Sequence, residues 1–275
     1  MPTDYRSGKE AFTYRDPVTG REVLQLTNSH QRSVHGYYDL PPWSRRTGQI
    51  AFSSMEPGAS EGGIYVMERD GSNITYLAHS RAMSANDGAM AQWSADGRRV
   101  YFKGREDSIP LIAWVDVERG EGDAIPGDLR MICPTGNLNV YHTQCATMPD
   151  EALLRDRDGQ GVFVMDLGTG ATRMIVSVEE CLAIHPRRDE IRNWHLYIKH
   201  TKWSSDGKRL MFVFTNEIRY AAKFAEEPRV KDIYVVNVDG SGLRNVGEFG
   251  HHPLWHPSGQ EILAKARQEA HDIVL

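Results

Sequence analysis

Cysteine is scarce in this chain of 275 residues: there are three, at 133, 145 and 181, too few and too irregularly spaced for a disulfide framework or a zinc site. They read as buried free thiols. No stretch approaches the ~20 apolar residues of a membrane span, and the opening Met-Pro-Thr-Asp-Tyr-Arg-Ser-Gly-Lys-Glu lacks the apolar centre of a signal peptide. The expectation is a cytoplasmic protein with no membrane partner. Basic residues are outnumbered by acidic ones, 32 to 37, for a net charge of −5. They are scattered, with Arg45-Arg46 and Arg187-Arg188 among the few pairs, so no basic block is present to release counterions from a phosphate backbone and no nucleic-acid partner is expected. Gly-x-Ser-x-Gly, P-loop and Rossmann glycine patterns are also missing, which counts against nucleophilic hydrolysis, phosphoryl transfer and dinucleotide redox chemistry.

What the chain does contain is a repeat. Trp203-Ser-Ser-Asp-Gly207 is echoed by Trp43-Ser-Arg-Arg-Thr-Gly48, Trp93-Ser-Ala-Asp-Gly97 and Trp255-His-Pro-Ser-Gly259. Each has an apolar residue seven places after the Trp: Leu210, Ile50, Val100 and Ile262. Thr147-Met-Pro-Asp-Glu151, with Leu154 at the same offset, is a weaker fifth copy. Anchors at 43, 93, 147, 203 and 255 are 50, 54, 56 and 52 residues apart. Asp-Gly between short apolar runs marks a tight turn joining two β-strands, and a period of this size filled with strands implies β-propeller blades.

Strands are expected at 50–52, 64–67 and 74–77, at 100–102 and 112–115, at 162–165 and 174–176, and at 210–214 and 233–236, with 153–154 opening the third unit's second strand. Residues 11–27 read as two strands around an Asp-Pro-Val-Thr-Gly turn, and 216–231 as an inserted loop or helical turn. The expected fold is therefore all-β: one propeller domain over 1–275, of about five four-stranded blade units, the last incomplete and ending inside its third strand.

In a propeller the first strand of each blade lines the central channel. Three residues before the five anchors stand Leu40, Met90, Gln144, His200 and His252, so Gln, His and His occupy that register in three consecutive units. Imidazole and amide oxygen are competent ligands for a divalent ion, and His251 doubles His252. A single such His is more often structural, and His79 and His256 are left as scaffold. Arg192, in the Arg- and His-rich segment 185–195, and Arg32, with His35 and Tyr37 beside the first complete blade, are candidates for holding an anionic substrate, since a guanidinium takes a carboxylate bidentately.

Asp16-Pro-x-Thr-Gly-Arg-Glu-Val-Leu-Gln-Leu-Thr27, His35-Gly-Tyr-Tyr38, the Trp-Ser-x-Asp-Gly repeats and Gly250-His-His-Pro-Leu-Trp255 together resemble oligogalacturonate lyase, a seven-bladed propeller related to TolB-type repeats. The resemblance covers nearly the whole chain. It implies β-elimination in short, pectin-derived galacturonate oligomers, assisted by a manganese-type ion. By position, His200 resembles the family's base, His252 (or His251) its metal-binding histidine, and Arg192 the arginine on the substrate carboxylate. Gln144 shares the channel register and is the remaining metal candidate. The family's other ligands, a Gln and two His, would fall beyond Leu275, so a C-terminally shortened member is expected. The competing expectation is a non-catalytic TolB-like propeller that binds a peptide or glycan on its channel face.

Overall fold

The computed structural model describes residues 8–143, 157–216, 229–249, 252–265 and the backbone of 273–274. Two compact units divide the chain, 1–132 and 133–275. In the first, a two-stranded hairpin pairs β1 (Phe12–Arg15) with β2 (Glu22–Gln25). It is followed by a four-stranded antiparallel sheet of β3 (Arg32–Val34), β4 (Ile50–Met55), β5 (Gly62–Met67) and β6 (Thr75–Ser80), ordered as in the sequence. A second such sheet holds β7 (Gln92–Trp93), β8 (Arg99–Glu106), β9 (Ile109–Asp116) and β10 (Gly122–Pro126).

The third sheet runs β11 (Met131–Ile132), β12 (Leu138–His142), β13 (Gly161–Asp166), β14 (Thr172–Ser177), and the division between the units falls after its first strand. Two short helices follow, α1 (Val178–Ala183) and α2 (Arg188–Ile191). The fourth sheet is β15 (Tyr197–Trp203), β16 (Arg209–Thr215), β17 (Lys231–Asn237) and β18 (Arg244–Glu248), and a three-stranded sheet of β19 (Leu254–Trp255), β20 (Ile262–Lys265) and β21 (Ile273–Val274) comes last. The chain is thus all-β and of the propeller class, with four complete blades where about five units were expected. Among the described residues, no helix is long and apolar enough to cross a membrane.

The repeat is a hydrogen-bonded circuit. In Trp93-Ser-Ala-Asp-Gly97 the Ser94 hydroxyl donates to Asp96 (2.6 Å) and accepts from the Arg99 N–H, while Ser94 N–H bonds the Arg99 carbonyl and Gly97 N–H the Ser94 carbonyl. Ser204, Asp206, Gly207 and Arg209 repeat every one of these contacts. At the last turn His256 takes the serine's place, its ring Nδ1 accepting from the Ser258 N–H. Hydrogen bonding to the serine hydroxyls, and to backbone N–H groups, holds the Asp96 and Asp206 carboxyls below their usual range.

The third turn corrects the register read from the sequence. Cys133 N–H bonds the Leu138 carbonyl, as Ser94 bonds Arg99, so the turn is Cys133-Pro-Thr-Gly136 and the anchor is Ile132. The expected copy at 147–151, with its strand at 153–154, lies outside the described residues, and the second strand of this sheet is β12. The true intervals are 50, 39, 71 and 52 residues. The turn was missed because its anchor is not Trp and it carries neither Ser nor Asp.

The second, fourth and fifth turns each pack on the one before. Gly97 and Gly207 have φ of +66° and +68°. A Cβ on Gly97 would stand 2.7 Å from Ser44 Oγ and Arg46 Cβ of the preceding turn; one on Gly207 would strike Thr135 Oγ1 and lie 2.9 Å from Cys133 Sγ. Polar groups link the same strands: Trp93 Nε1 donates to the Pro42 carbonyl (2.9 Å) and Trp255 Nε1 to that of Lys202 (3.4 Å). Gln92, 4% exposed, donates to the Arg130 carbonyl (3.2 Å) and accepts from Ile132 N–H (2.9 Å).

Apolar side chains fill the space between successive sheets. Ala51, Ile64 and Val66 of the first blade meet Ala89, Ala91, Trp93, Val100 and Phe102 of the second. Met211, Val213, Ile233 and Val235 of the fourth meet Phe249, Trp255, Ile262 and Ala264. β16 is buried on both faces, so it reads as a continuous apolar run rather than an alternation; its other face stacks Phe212 on Tyr234, 5.8 Å between centroids.

Replacing Gly207 with Ala should cost more than the ~1–2 kcal/mol of a left-handed backbone alone. Gly170→Ala, at φ +72° with open space around it, should cost only that, and chemical denaturation of the two variants compares them. Gln92→Leu, which strips a partner from two buried backbone groups, should lose about 1–3 kcal/mol for the orphaned groups, with Gln92→Glu falling between it and the parent.

Candidate functional site

Strand β15 is the element around which the predicted residues gather. Its lower end is fixed by the Ser204–Arg209 turn. Above it, Lys199 pairs with Val213 and Lys202 with Met211, so three steps along β15 match two along β16. The extra residue is a β-bulge, and His200 occupies it in the left-handed region at φ +56°. His252 has φ +48° and Met90 φ +54°; all three stand three residues before an anchor. A non-glycine residue in this conformation costs of order 1–3 kcal/mol and persists where the surroundings impose it. The shared conformation does not require histidine, as the buried Met90 shows, and it is absent at Leu40 and Leu129, which stand at the same offset.

Two contacts draw further groups to this strand. Thr201, fully buried, meets His142 of β12, Oγ1 to Nδ1 3.2 Å. Lys202, 1% exposed, donates from Nζ to the Pro253 carbonyl at 2.5 Å, beside His252. His142, His200 and His252 thus come from three successive sheets onto or next to one short segment. His200 is half-buried and His252 exposed.

The remaining predicted residues distribute differently. Arg192 caps the C-terminus of α2 and is exposed; no described contact joins it to β15. Arg32 lies exposed on β3, and His35, also exposed, follows that strand. Tyr37 is half-buried, its ring 4.5 Å from that of Tyr38 and under the Arg130 guanidinium at 5.7 Å. Arg130 pairs with Asp39 at 2.5 Å, with side chains 9% and 1% exposed. Burial, then the Asp39 charge, pushes the Tyr38 hydroxyl well above its usual range. Arg32, His35 and Tyr37 belong to the first unit, whereas Arg192, His200 and His252 belong to the second. Gln144 and His251 lie outside the described residues, and the corrected third turn puts Leu129, not Gln144, three places before its anchor.

Of the residues that the resemblance implies for a metal, His252 is described, whereas Gln144 and His251 are not. Among the described residues, no group of three or more His, Cys, Asp or Glu side chains is placed to hold an ion. Cys133 and Cys181 are buried and free, as expected, and burial, then Glu180, keeps the Cys181 thiol well above its usual range and protonated.

A buried polar pair went unrecognised in the sequence. His185 Nδ1 accepts from the Arg187 N–H (3.0 Å), which leaves the ring proton on Nε2, 3.2 Å from Asp232 Oδ2 at an angle poor for a hydrogen bond. Both side chains are under 5% exposed. Asn245 donates to the same oxygen at 2.7 Å, and Tyr234 donates to the Cys181 carbonyl. Burial works to raise the Asp232 carboxyl, but His185 and Asn245 outweigh it and hold it below its usual range. A carboxyl depressed on folding stabilises the fold above its unfolded value of about 3.9, and that stability is lost as pH falls through the folded value. The stability gap between the parent and Asp232→Asn, from urea midpoints between about pH 5 and 2, should therefore shrink on acidification; a constant gap would contradict this assignment.

No protein-family model matches the chain, and no curated protein matches it in sequence. Solved structures do. A structure of oligogalacturonate lyase in complex with manganese aligns with TM-score 0.61 at 16% identity, over 94% of this chain and 66% of the other. An oligogalacturonate lyase from Vibrio parahaemolyticus gives 0.59 at 16%, over 94% and 65%. TolB from Acinetobacter baumannii gives 0.52 at 14%, over 95% and 58%. The chain spans less than two thirds of the length of each of these proteins. At such identities the likeness is one of fold: the chain shares the β-propeller architecture of the lyase and TolB structures, without thereby belonging to the lyase family.

Proposed function

We propose that the chain acts on short acidic oligosaccharides by β-elimination, with His200 as the base. The observation that carries this reading is the left-handed backbone that His200 of β15 shares with His252, just before β19, with His142 in contact with Thr201, the next residue along β15. In a galacturonate unit the C5 hydrogen is acidified by the adjacent carboxylate. Neutral His200 takes that proton, the C5–H electron pair forms the C4=C5 bond, and the C4–O4 bond breaks, leaving an oxygen that must gain a proton. A histidine suits this work because its unperturbed pKa lies near neutrality. The likeness to two lyase structures supports the substrate class as a proposal. The described residues supply no three-donor metal centre, so no step is assigned to an ion.

A second reading has its own support. Met90 shows that the left-handed register exists without an imidazole, and the TolB likeness fits a propeller that binds a peptide or glycan without turning it over. The two readings part on a single assay. Adding digalacturonate should produce the ultraviolet absorbance of a 4,5-unsaturated uronate, and His200→Ala should slow its growth by about 10²–10⁴-fold, the usual weight of a general base. Heat of binding without any absorbance change, under every divalent metal tried, would leave the binding propeller and remove the lyase.

A further inference from the structure

One polar tie recurs at two joints between successive blades. The residue just before an anchor gives a side-chain N–H to the carbonyl two places before the next anchor: Gln92 to Arg130 (3.2 Å) and Lys202 to Pro253 (2.5 Å). Pro42 and Met131 hold the same place before Trp43 and Ile132 and have no side-chain N–H to give, so blades stack without the tie. Where it is made it is deeply buried, with Gln92 4% and Lys202 1% exposed.

The two ties differ in what stands next to the carbonyl they hold. Before Arg130 comes Leu129, itself buried. Before Pro253 comes His252, exposed and left-handed at φ +48°. Proline keeps the residue before it out of the right-handed helical region, and Pro253 is buried with its carbonyl on Lys202 Nζ. Trp255 Nε1 donates in turn to the Lys202 carbonyl (3.4 Å), so Lys202 grips the segment on both sides of Leu254. Lys202 pairs with Met211, and opposed residues share a face of the sheet. That face packs on Trp255 and Ile262, and His200 lies two residues back along the same strand.

We propose that Lys202 is a positioning residue: its bond to the Pro253 carbonyl sets where the His252 imidazole stands relative to His200. The inference rests on the reading of those two histidines as the site. An exposed side chain takes its place from its backbone, and here a buried donor anchors that backbone from below. Because Lys202 and His200 share β15, the tie passes the position of one histidine's strand to the other. Misplacing a site group by about 1 Å costs on the order of 10²-fold in rate. The counterpart at Gln92 holds only the buried Leu129 beside its carbonyl, so it serves as the structural control within the same chain.

The test compares Lys202→Met, Lys202→Gln and Lys202→Arg with Gln92→Leu in the full chain at one pH. His252→Gln identifies the His252 ring Cε1–H signal in the NMR spectrum by its loss. In the parent that line should be single and sharp. Lys202→Met, which removes the donor, should broaden or split it; Lys202→Gln, one bond shorter, should do so in part; and Lys202→Arg, which keeps a donor, should restore one line. Gln92→Leu cuts the equivalent tie and should lower the urea midpoint while leaving the His252 line as in the parent. Where digalacturonate is turned over, Lys202→Met should lower kcat/KM about tenfold or more and Gln92→Leu should not. A parent without turnover removes the elimination reading, and the line shapes then decide this one alone. A sharp His252 line in Lys202→Met, or the same broadening in Gln92→Leu, would overturn the proposal. If Lys202→Met does not fold, Lys202→Gln decides: a broadened line that Lys202→Arg restores supports the tie, and a sharp one overturns it.

Discussion

The contact on which the structure depends is the stacking of one blade's turn on the turn before it. An antiparallel four-stranded sheet satisfies its own backbone but buries neither face alone, so each sheet needs its neighbour at a fixed height and tilt. Left-handed glycines allow the turns to approach within van der Waals distance of the preceding serine or threonine. Indole N–H groups and the buried Gln92 and Lys202 side chains then tie the first strands together through backbone carbonyls. Apolar packing between sheets is large but not directional; these polar ties set which residue stands opposite which.

That constraint also produces the candidate site. The strand that must reach its neighbour with residue 202 and close a turn at 204–209 has one residue too many for its partner, and the surplus is taken up as a bulge at His200. Met90 and His252 adopt the same conformation three places before their own anchors. Two of these three positions carry an imidazole and the third a buried methionine.

Among the polar groups, burial and partnership decide which are structural. Asp39 with Arg130, and Asp232 with His185 and Asn245, are deeply buried groups that hold segments in place, and at Asp232 the donors keep the carboxyl below its usual range. The exposed Arg192, Arg32 and His35 have no such setting, whereas His200 is half-buried in the β15 bulge beside Thr201 and Lys202.

From the sequence alone came the all-β class, the blade repeat, the second and third strands of the first, second and fourth blades with the fourth strand of the first, and the register that singles out His200 and His252. These were readable because Trp, Ser, Asp and Gly each answer a local demand of the turn: an indole donor, a hydroxyl bridge, a carboxylate acceptor and a left-handed backbone. The third turn escaped because Ile132-Cys133-Pro-Thr-Gly136 closes with the same Cys133–Leu138 backbone hydrogen bond but lacks the Trp, Ser and Asp, which displaced Gln144 from the register. Tertiary structure alone decided the bulge at His200, the burial of Lys202 against Pro253 and the His185–Asp232 pair. Each depends on what a neighbouring sheet does or does not bring within hydrogen-bonding distance, and residues 39 to 71 positions apart in the chain carry no local signal of that.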